Sequence, residues 1–511
     1  MNNKEIEDLL ISGRRGTAQF VHARELAALM ESLGCTDGSA NEAGFPNIFS
    51  YAEHLFACFQ TDPRPTERTA RTPGRTALWA EIKCAMRRCS LGLAYAVPWM
   101  ALLTLEYLRP NALKVSPELG GALSLSLIAS LTTSGGFIQM ISRSGHFYYG
   151  LEEPILARQT CISLLNLGST CSLLVAVLGM MLGFYFQLFT GKYLILSAIN
   201  YVALSLLWMF CAVLSVQGRG WYIPFVFLLS ALLSGLIKIL AHSGATIVLV
   251  LWPVVAVLAA VVFTMAGFRR AEKKHAGAGG RVRPRLGVWA ISLAPFYLYG
   301  TVYFSFLFAD RLAAGSAIPW VSGLSFGIDP AYKRGMDLVL LAFLVTAALA
   351  EYLGDSFLRF WRRLAAELPQ TAGEQLIVKL RQRHWKTMLA IFTVFVMTSL
   401  SSWLAFSRLG SLASSPRLLQ TAVLGGLGYL LLNMALLDII ILASANTHSP
   451  ALVAVTLGLV ANVVTGYGLS HLLGVQYAAV GLLAGSAVVL WRCNAAVREI
   501  LRSPDYHYAV S

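Results

Sequence analysis

Apolar stretches of about 20 residues recur along most of this chain, and they limit its fold more than any other feature. A helix that crosses about 30 Å of hydrocarbon needs about 20 predominantly apolar residues. The chain is 56% hydrophobic and only 13% charged, whereas an average soluble domain is about 25% charged. Because so little polar surface cannot cover a globule in water, we expect lipid to be the solvent. Windows of the required length lie at residues 91–108, 119–141, 164–189, 193–216, 221–241, 245–267, 286–309, 336–353, 387–407, 418–443, 450–473 and 476–491.

These windows predict an all-α polytopic membrane protein with about 12 transmembrane helices, and not a soluble enzyme. The basic residues test this interpretation. If the N-terminus is cytoplasmic, the cytoplasmic flanks carry about three times as many Lys and Arg residues as the outer flanks, which agrees with the positive-inside rule. The net charge of +14 is explained by this bias, so we expect contact with anionic lipids and no nucleic acid. Both termini are predicted to be cytoplasmic.

A basic, flexible segment divides the windows into two blocks of six. It has the sequence FRRAEKKHAGAGGRVRPR, and transporters are often built from two repeated halves of this kind. We also expect a small helical cytoplasmic segment at the N-terminus, with helices over Lys4–Leu10 and Phe20–Leu33. The predicted organisation is an N-terminal extension and linker (1–75), an amphipathic basic pre-span helix (76–90), a first six-helix lobe (91–267), the basic linker (268–285), a second six-helix lobe (286–491) and a tail (492–511).

Signatures of catalysis and of metal binding are absent from the sequence. No GxxxxGK[ST] or HExxH pattern occurs, and none of the eight cysteines forms a CxxC pair. We therefore predict no catalytic residue, no cofactor and no metal. Small residues within the spans predict close helix packing instead, and they are Gly179 with Gly183, Gly425 through Gly428, and Gly481 with Gly485.

Polar residues within the spans are the remaining candidates for function, because they are costly in lipid and usually face a bundle interior or a cavity. Gln139 and Arg143 are one helical turn apart near the cytoplasmic end of the second span. Arg143 either reaches the interface as an anchor or forms a cavity-mouth site for anionic groups or sugar hydroxyls. Asn200 and Asn433 could form hydrogen bonds across helices. Lys238 is explained most simply by a reach to the outer interface.

Acidic and aromatic residues of the seventh and eighth spans form a second group of candidates. Asp337 and Glu351 bracket the eighth span, fourteen residues apart and nearly on one helical face. They are either a gate or a proton-coupling pair, although plain interfacial placement is favoured. Tyr299 and Tyr303 lie at helical spacing and could stack on sugar rings or serve packing. Asp310 with Arg311 closes the seventh span at its outer end.

Several blocks, in their order along the chain, resemble the PelG family, the inner-membrane transporters of Pel-type exopolysaccharide systems. AYAVPWMALLTL is similar to the first span of that family, with Pro98 and Trp99 matching and Val97 where the family has Gly. The other similar blocks are AEIKCAMRRCS, SLTTSGGFIQMISRSGHFYYG with Gln139 and Arg143, LSLLWMFCAVLSVQGRGWYIP, FYLYGTVYFSFLFADRL with Asp310 and Arg311, and the terminal SPDYHY. The resemblance covers about residues 80–508.

This resemblance implies two six-helix lobes around a central cavity in the multidrug/oligosaccharidyl-lipid/polysaccharide flippase superfamily. It implies movement of an exopolysaccharide across the bacterial inner membrane, together with a cytoplasmic glycosyltransferase and membrane scaffold subunits. The cavity candidates are then Gln139, Arg143, Asn200, Tyr299, Tyr303, Asp310, Arg311 and Asn433, and the gating or coupling candidates are Lys238, Asp337 and Glu351.

Three alternatives to this function stay open at the level of the sequence. The chain could be a lipid-linked oligosaccharide flippase or a cation-coupled small-solute exporter of the same superfamily. It could also be a non-transporting scaffold for a polysaccharide synthase. A coupled exporter predicts a buried carboxylate near the centre of the membrane. The candidate carboxylates instead fall near span ends, at Glu106, Asp337, Glu351 and Asp438, which weakens that alternative.

Overall fold

The computed structural model divides into two compact units, Met1–Lys83 with Arg363–Pro369, and Cys84–Arg362 with Gln370–Ser511. All regular secondary structure in the described part of the chain is helical. The described residues are 27, 30, 36–61, 116–151, 153–240, 245–274, 286–318, 326–327, 329–367, 373–408, 415–445, 447 and 449–502.

Two short helices of the smaller unit lie within the described residues 36–61, α1 (Asp37–Glu42) and α2 (Ile48–Thr61). Ile48, Tyr51, Ala52 and Leu55 are buried, and their spacing of three, four and seven residues places them on one face of α2. The Asn47 side chain accepts a hydrogen bond from the backbone N–H of Ser50 (2.9 Å), which caps the start of the helix.

The sequence did not predict α2. Of the two helices predicted in this region, Lys4–Leu10 lies outside the described residues, and only Ala27 and Met30 of Phe20–Leu33 are described. Both of these are helical and buried in the core of the smaller unit. The pre-span helix at 76–90 also lies outside the described part.

The larger unit contains eleven long helices in its described residues. Ten of them are long and apolar enough to cross a membrane, and α6 carries a shorter apolar segment, Tyr222–Ile237. Each of the predicted windows from 119–141 onward lies largely within one of these helices, whereas the window 91–108 lies outside the described residues. The helices are α3 (Pro117–Gly150), α4 (Pro154–Tyr185), α5 (Gly191–Val216), α6 (Tyr222–Leu240), α7 (Ala245–Lys274), α8 (Leu286–Ser316), α9 (Pro330–Glu367), α10 (Gly373–Arg408), α11 (Pro416–Ser444), α12 (Ser449–Leu473) and α13 (Ala478–Ile500).

Several helices extend beyond the apolar windows at their basic ends. Helix α7 continues to Lys274 and α13 to Ile500. The predicted basic linker and the predicted C-terminal tail therefore both begin inside a helix. The physical reason is that a hydrogen-bonded helix continues into the headgroup region, where charged side chains are solvated, so hydropathy marks the end of the apolar part and not the end of the helix.

Two groups of helices pack within the larger unit. In the first group α5 packs against α3, α4 and α7, and α6 packs against α7; in the second α13 packs against α11 and α12, and α8 packs against α12. Helix α9 joins the second group through α11, since Met336 contacts the face of Gly425. The contact between α3 and α8 joins the two groups.

Small residues permit the close approaches that the sequence predicted, with one exception. A Cβ built at Gly481 would lie 2.5 Å from the backbone oxygen of Asn462, and one at Gly183 would lie 2.5 Å from Leu194 Cδ1. Because real Cβ atoms do not approach a backbone oxygen so closely, Gly481 requires glycine, whereas a side chain at Gly183 would require the flexible Leu194 side chain to shift. Nothing lies within 4 Å of a Cβ at Gly179, so the packing prediction was wrong there. Close contacts are also observed at Gly425, Gly428 and Gly485.

Candidate functional site

The crossing of α3 over α8 is formed by glycines near the middle of both helices. A Cβ built at Gly300 would lie 2.3 Å from the backbone oxygen of Gly135, and one at Gly136 would lie 2.4 Å from Tyr297 Cδ2. The backbones of the two helices are therefore in direct contact. Side chains of both helices, among them Met140, Ile141 and Leu293, belong to one hydrophobic cluster beside the crossing.

Gln139 and Arg143 extend from this crossing along α3 toward the end of the helix at Gly150. Gln139 is half-buried, and a Cβ at Gly300 would lie 2.7 Å from its Cγ. Arg143 is exposed, and its guanidinium carbon lies 5.3 Å from the centroid of the Phe296 ring on α8. The structure thus brings both predicted residues to the contact between the two helix groups, where Arg143 makes a cation–π contact with the opposite group.

Tyr299 and Tyr303 lie on a different face of α8 from Gly300. Their rings stack, with centroids 5.9 Å apart and planes inclined by 24°. The Tyr303 ring also makes an edge contact with Phe304, with centroids 5.5 Å apart. The structure therefore places the two tyrosines in an aromatic cluster along α8.

The two predicted asparagines form hydrogen bonds between helices of one group. Asn200 on α5 is buried and donates to the Ser126 hydroxyl on α3 (2.6 Å). Asn433 on α11 is also buried and donates to the backbone oxygen of Phe343 (3.3 Å) and to the Thr346 hydroxyl, both on α9. These bonds satisfy the amide groups within each bundle.

A buried cluster of charged and polar groups joins α8 to α9. Arg311 Nη1 and Lys333 Nζ each lie 3.0 Å from a carboxylate oxygen of Asp337, whose side chain is 2% exposed. The Tyr332 hydroxyl donates to Asp310 Oδ2 (2.6 Å), and Asp310 is fully buried. The other carboxylate oxygen of Asp310 has no hydrogen-bond partner in the described part of the chain.

Asp337 is thus a buried member of an ion cluster, and its placement relative to the membrane interface stays a prediction. Helix α9 begins at Pro330, several residues before the apolar window, so Asp337 lies about two turns inside the helix, where two cations compensate its charge. Glu351 is exposed and lies about 21 Å farther along α9, which places it too far from Asp337 for an ion pair. The side chain of Lys238 lies outside the described residues, and its predicted role stays a prediction.

A second buried polar group was missed by the sequence. His384 Nε2 on α10 lies 2.7 Å from Asp438 Oδ1 on α11, and the Asn494 amide on α13 donates to Asp438 Oδ2 (3.3 Å). Three helices thus meet at one carboxylate that is fully buried. The signal in the sequence was Asp438 itself, an acidic residue within the apolar window 418–443. A charge in such a window usually has a partner inside the protein.

Solved structures of MATE transporters are similar to the chain. The crystal structure of the Vibrio cholerae MATE transporter VcmN in the bent form aligns with a TM-score of 0.55 and 15% identity, covering 85% of this chain and 100% of that chain. The chain has the MATE transporter fold. A MATE structure in complex with MaL6 aligns with a TM-score of 0.53 and 13% identity, covering 82% of this chain and 96% of that one.

An outward-facing multidrug resistance MATE family transporter of the MOP superfamily aligns with a TM-score of 0.52 and 14% identity, covering 84% of this chain and 97% of that one. No family model matches the chain, and no curated protein sequence matches it. The likeness to the MATE structures is thus one of fold, and it confirms the prediction of an all-α, twelve-helix membrane architecture. The first group of helices (α3–α7) comes from the first predicted lobe and the second group (α8–α13) from the second, so we call the two groups the first and the second lobe. The α3–α8 crossing is the contact that joins them.

Proposed function

We propose that this chain is a membrane transporter that moves an exopolysaccharide of the Pel type across the bacterial inner membrane. The observation that carries the proposal is the contact between lobes of a MATE-type fold, where Gln139 and Arg143 lie beside the aromatic residues Phe296 and Tyr297. Separation of the lobes at this crossing exposes amide and guanidinium donors next to aromatic rings. Such surfaces bind sugars, because hydroxyl groups accept from the donors and ring faces stack on aromatic side chains.

The polymeric cargo is supported by the ordered resemblance along residues 80–508 to transporters of Pel-type systems. A polymer must reach the transporter as it is made, so the partners in this proposal are a cytoplasmic glycosyltransferase and membrane scaffold subunits. The basic segments of the chain would then face the enzyme and the anionic inner leaflet. A reporter that works only in the cytoplasm should be active when it is fused to either terminus. Activity of a reporter that works only outside the cytoplasm would overturn this orientation.

Deletion of the gene, followed by separate measurement of secreted and cell-retained polysaccharide, tests the proposal. We expect secreted polymer to disappear and to be restored by the wild-type chain supplied in trans. Unchanged secretion would overturn the exopolysaccharide function. A non-transporting scaffold predicts loss of synthesis as well as of export. Transport of a labelled oligosaccharide by the purified chain in liposomes, without the synthase, would exclude the scaffold alternative. Failure to transport the oligosaccharide even with the synthase present would support the scaffold alternative.

A cation-coupled exporter, or a flippase for lipid-linked oligosaccharides, is the second candidate. It is favoured by an observation that the sequence did not predict, namely that Asp310, Asp337 and Asp438 are all buried inside the second lobe. A buried carboxylate with a free oxygen, as at Asp310, is a group that could take up a proton or bind a cation. Uptake into liposomes is measured with and without an imposed proton or sodium gradient. Coupling is excluded if neither gradient changes the rate of uptake.

A further inference from the structure

A partly open cavity lies between α10, α11 and α13 in the second lobe, at the end that the charge bias assigns to the cytoplasm. Its volume is about 1070 Å³, which is at the upper limit of the roughly 300–1,000 Å³ that ligand pockets usually occupy. His384 and Asn494 line it, and both are hydrogen-bonded to the buried Asp438 carboxylate behind them. The cavity is separate from the lobe contact at α3 and α8, so its ligand need not be the transported cargo.

The walls of this cavity change from charged to apolar with depth in the membrane. Arg381 lies about 9 Å outside the apolar part of α10 and Arg498 about 10 Å outside that of α13, at 1.5 Å per residue. Both therefore lie at the depth of lipid headgroups. Trp385 and Trp491 are 63% and 68% exposed and border the cavity at the membrane interface, where tryptophan is enriched. The deeper wall is formed by Met388, Leu431, Met434, Ala487 and Leu490.

The mouth of the cavity carries more positive than negative charge. Arg381, Arg498 and Arg502 line it with one acidic residue, Glu499, and in the described part of the chain none of the three arginines forms a salt bridge. A cluster of guanidinium groups that outnumbers its carboxylates favours phosphate, which accepts paired hydrogen bonds from each of them. Because an apolar wall lies behind the cluster, a ligand that fills the cavity also needs acyl chains to cover that wall.

We propose that this cavity binds an anionic glycerophospholipid of the inner leaflet. Its phosphate contacts the arginines, its glycerol lies between the two tryptophans, and its acyl chains cover Met388, Met434 and Leu490. Such a lipid fills the space between α10 and the α11–α13 pair, and it makes the packing of α10 in the second lobe depend on the lipid composition. This inference stands whether the cargo is a polysaccharide or a small solute.

Native mass spectrometry of the purified full-length chain tests the proposal. The protein is titrated with phosphatidylglycerol, with phosphatidylcholine of the same acyl chains, and with inorganic phosphate. The variant R381Q/R498Q/R502Q is compared with K379Q/R492Q/R270Q, which removes three exposed cations that do not line the cavity. We expect the cavity variant to retain phosphatidylglycerol at least tenfold more weakly than wild type, since each cation near a headgroup contributes about fivefold. The control variant should bind as wild type does.

A second variant separates the shape of the site from its charge. Ala487→Trp keeps all three arginines and fills the apolar wall, so it should displace the lipid as well, and its elution as a monodisperse species shows that it folds. Equal binding by wild type and the cavity variant overturns the proposal, as does an equal loss in the control variant. Competition by inorganic phosphate at the lipid concentration would show a free-phosphate site instead, and full retention in Ala487→Trp would show a diffuse charge effect.

Discussion

His384 Nε2 lies 2.7 Å from Asp438 Oδ1, and this contact joins α10 to α11. The Asp438 carboxylate is buried, so the imidazole supplies a hydrogen bond where water has no access. Helix α10 is also held to α9, because Arg383 donates to the Ser356 hydroxyl (3.1 Å). The pair with Asp438 therefore contributes to the position of α10, and with it to one wall of the proposed lipid cavity.

Removal of the imidazole should destabilise the protein. His384→Ala leaves the buried carboxylate with the Asn494 amide as its remaining hydrogen-bond donor, so we expect a loss of about 1–3 kcal/mol in the free energy of unfolding. Denaturant titration in detergent measures this loss. The matched control is His146→Ala, which removes an exposed histidine of α3 and should change stability by less than about 0.5 kcal/mol. Equal effects of the two substitutions would contradict a stabilising role for the pair.

The architecture could be predicted from the sequence because lipid imposes a length on every spanning segment. Each of the windows from 119–141 onward lies largely within a helix. A helix satisfies the hydrogen bonds of its own backbone, which a segment in hydrocarbon cannot make with water. Helix ends were less predictable, as the continuation of α7 to Lys274 shows. Hydropathy measures where apolar residues stop, whereas a helix stops where its hydrogen bonds end.

The partners within the candidate sites could not be predicted. Asp310 and Tyr332 are 22 residues apart, and His384 and Asp438 are 54 apart. Each pair joins different helices, and their contact depends on how those helices are rotated about their axes. Hydropathy contains no information on that rotation. Gln139 and Arg143 were found because both lie on one helix, one turn apart, where spacing alone defines their common face.

The glycine contact between the lobes should not tolerate a methyl group. A Cβ at Gly300 would lie 2.3 Å from the backbone oxygen of Gly135, so Gly300→Ala forces α3 and α8 apart. We expect a loss of about 1–3 kcal/mol in stability, measured by thermal unfolding in detergent. Gly179→Ala is the control, since nothing lies near its Cβ, and it should be neutral or stabilise the helix by up to about 1 kcal/mol. Wild-type stability in Gly300→Ala would show that the crossing is looser than described.

Arg143 should matter for transport and not for folding. Its contact with Phe296 contributes only about 0.5–1 kcal/mol at an exposed position, so Arg143→Gln should leave the protein level unchanged. We expect secreted polysaccharide to fall several-fold. Arg143→Lys should be intermediate, because lysine keeps the charge and loses the planar donors. Arg492→Gln, at an exposed arginine of α13, is the control. Normal export by Arg143→Gln would leave Arg143 as an interfacial anchor.

The ion cluster between α8 and α9 should respond as a coupled unit. Asp337→Asn leaves the nearly buried Arg311 and the adjacent Lys333 without their shared carboxylate, and breaking a buried pair costs about 3–5 kcal/mol. The double variant Asp337→Asn with Arg311→Gln should lose less than the sum of the single losses, by about 0.5–3 kcal/mol.

Asp355→Asn provides the matched control on the same helix. Asp355 pairs with Arg359, and the two side chains are 39% and 37% exposed, so its replacement should cost less than about 1 kcal/mol. Denaturant titration of the four variants and wild type gives the coupling energy directly. If Asp337→Asn costs no more than Asp355→Asn, the cluster does not hold α8 to α9.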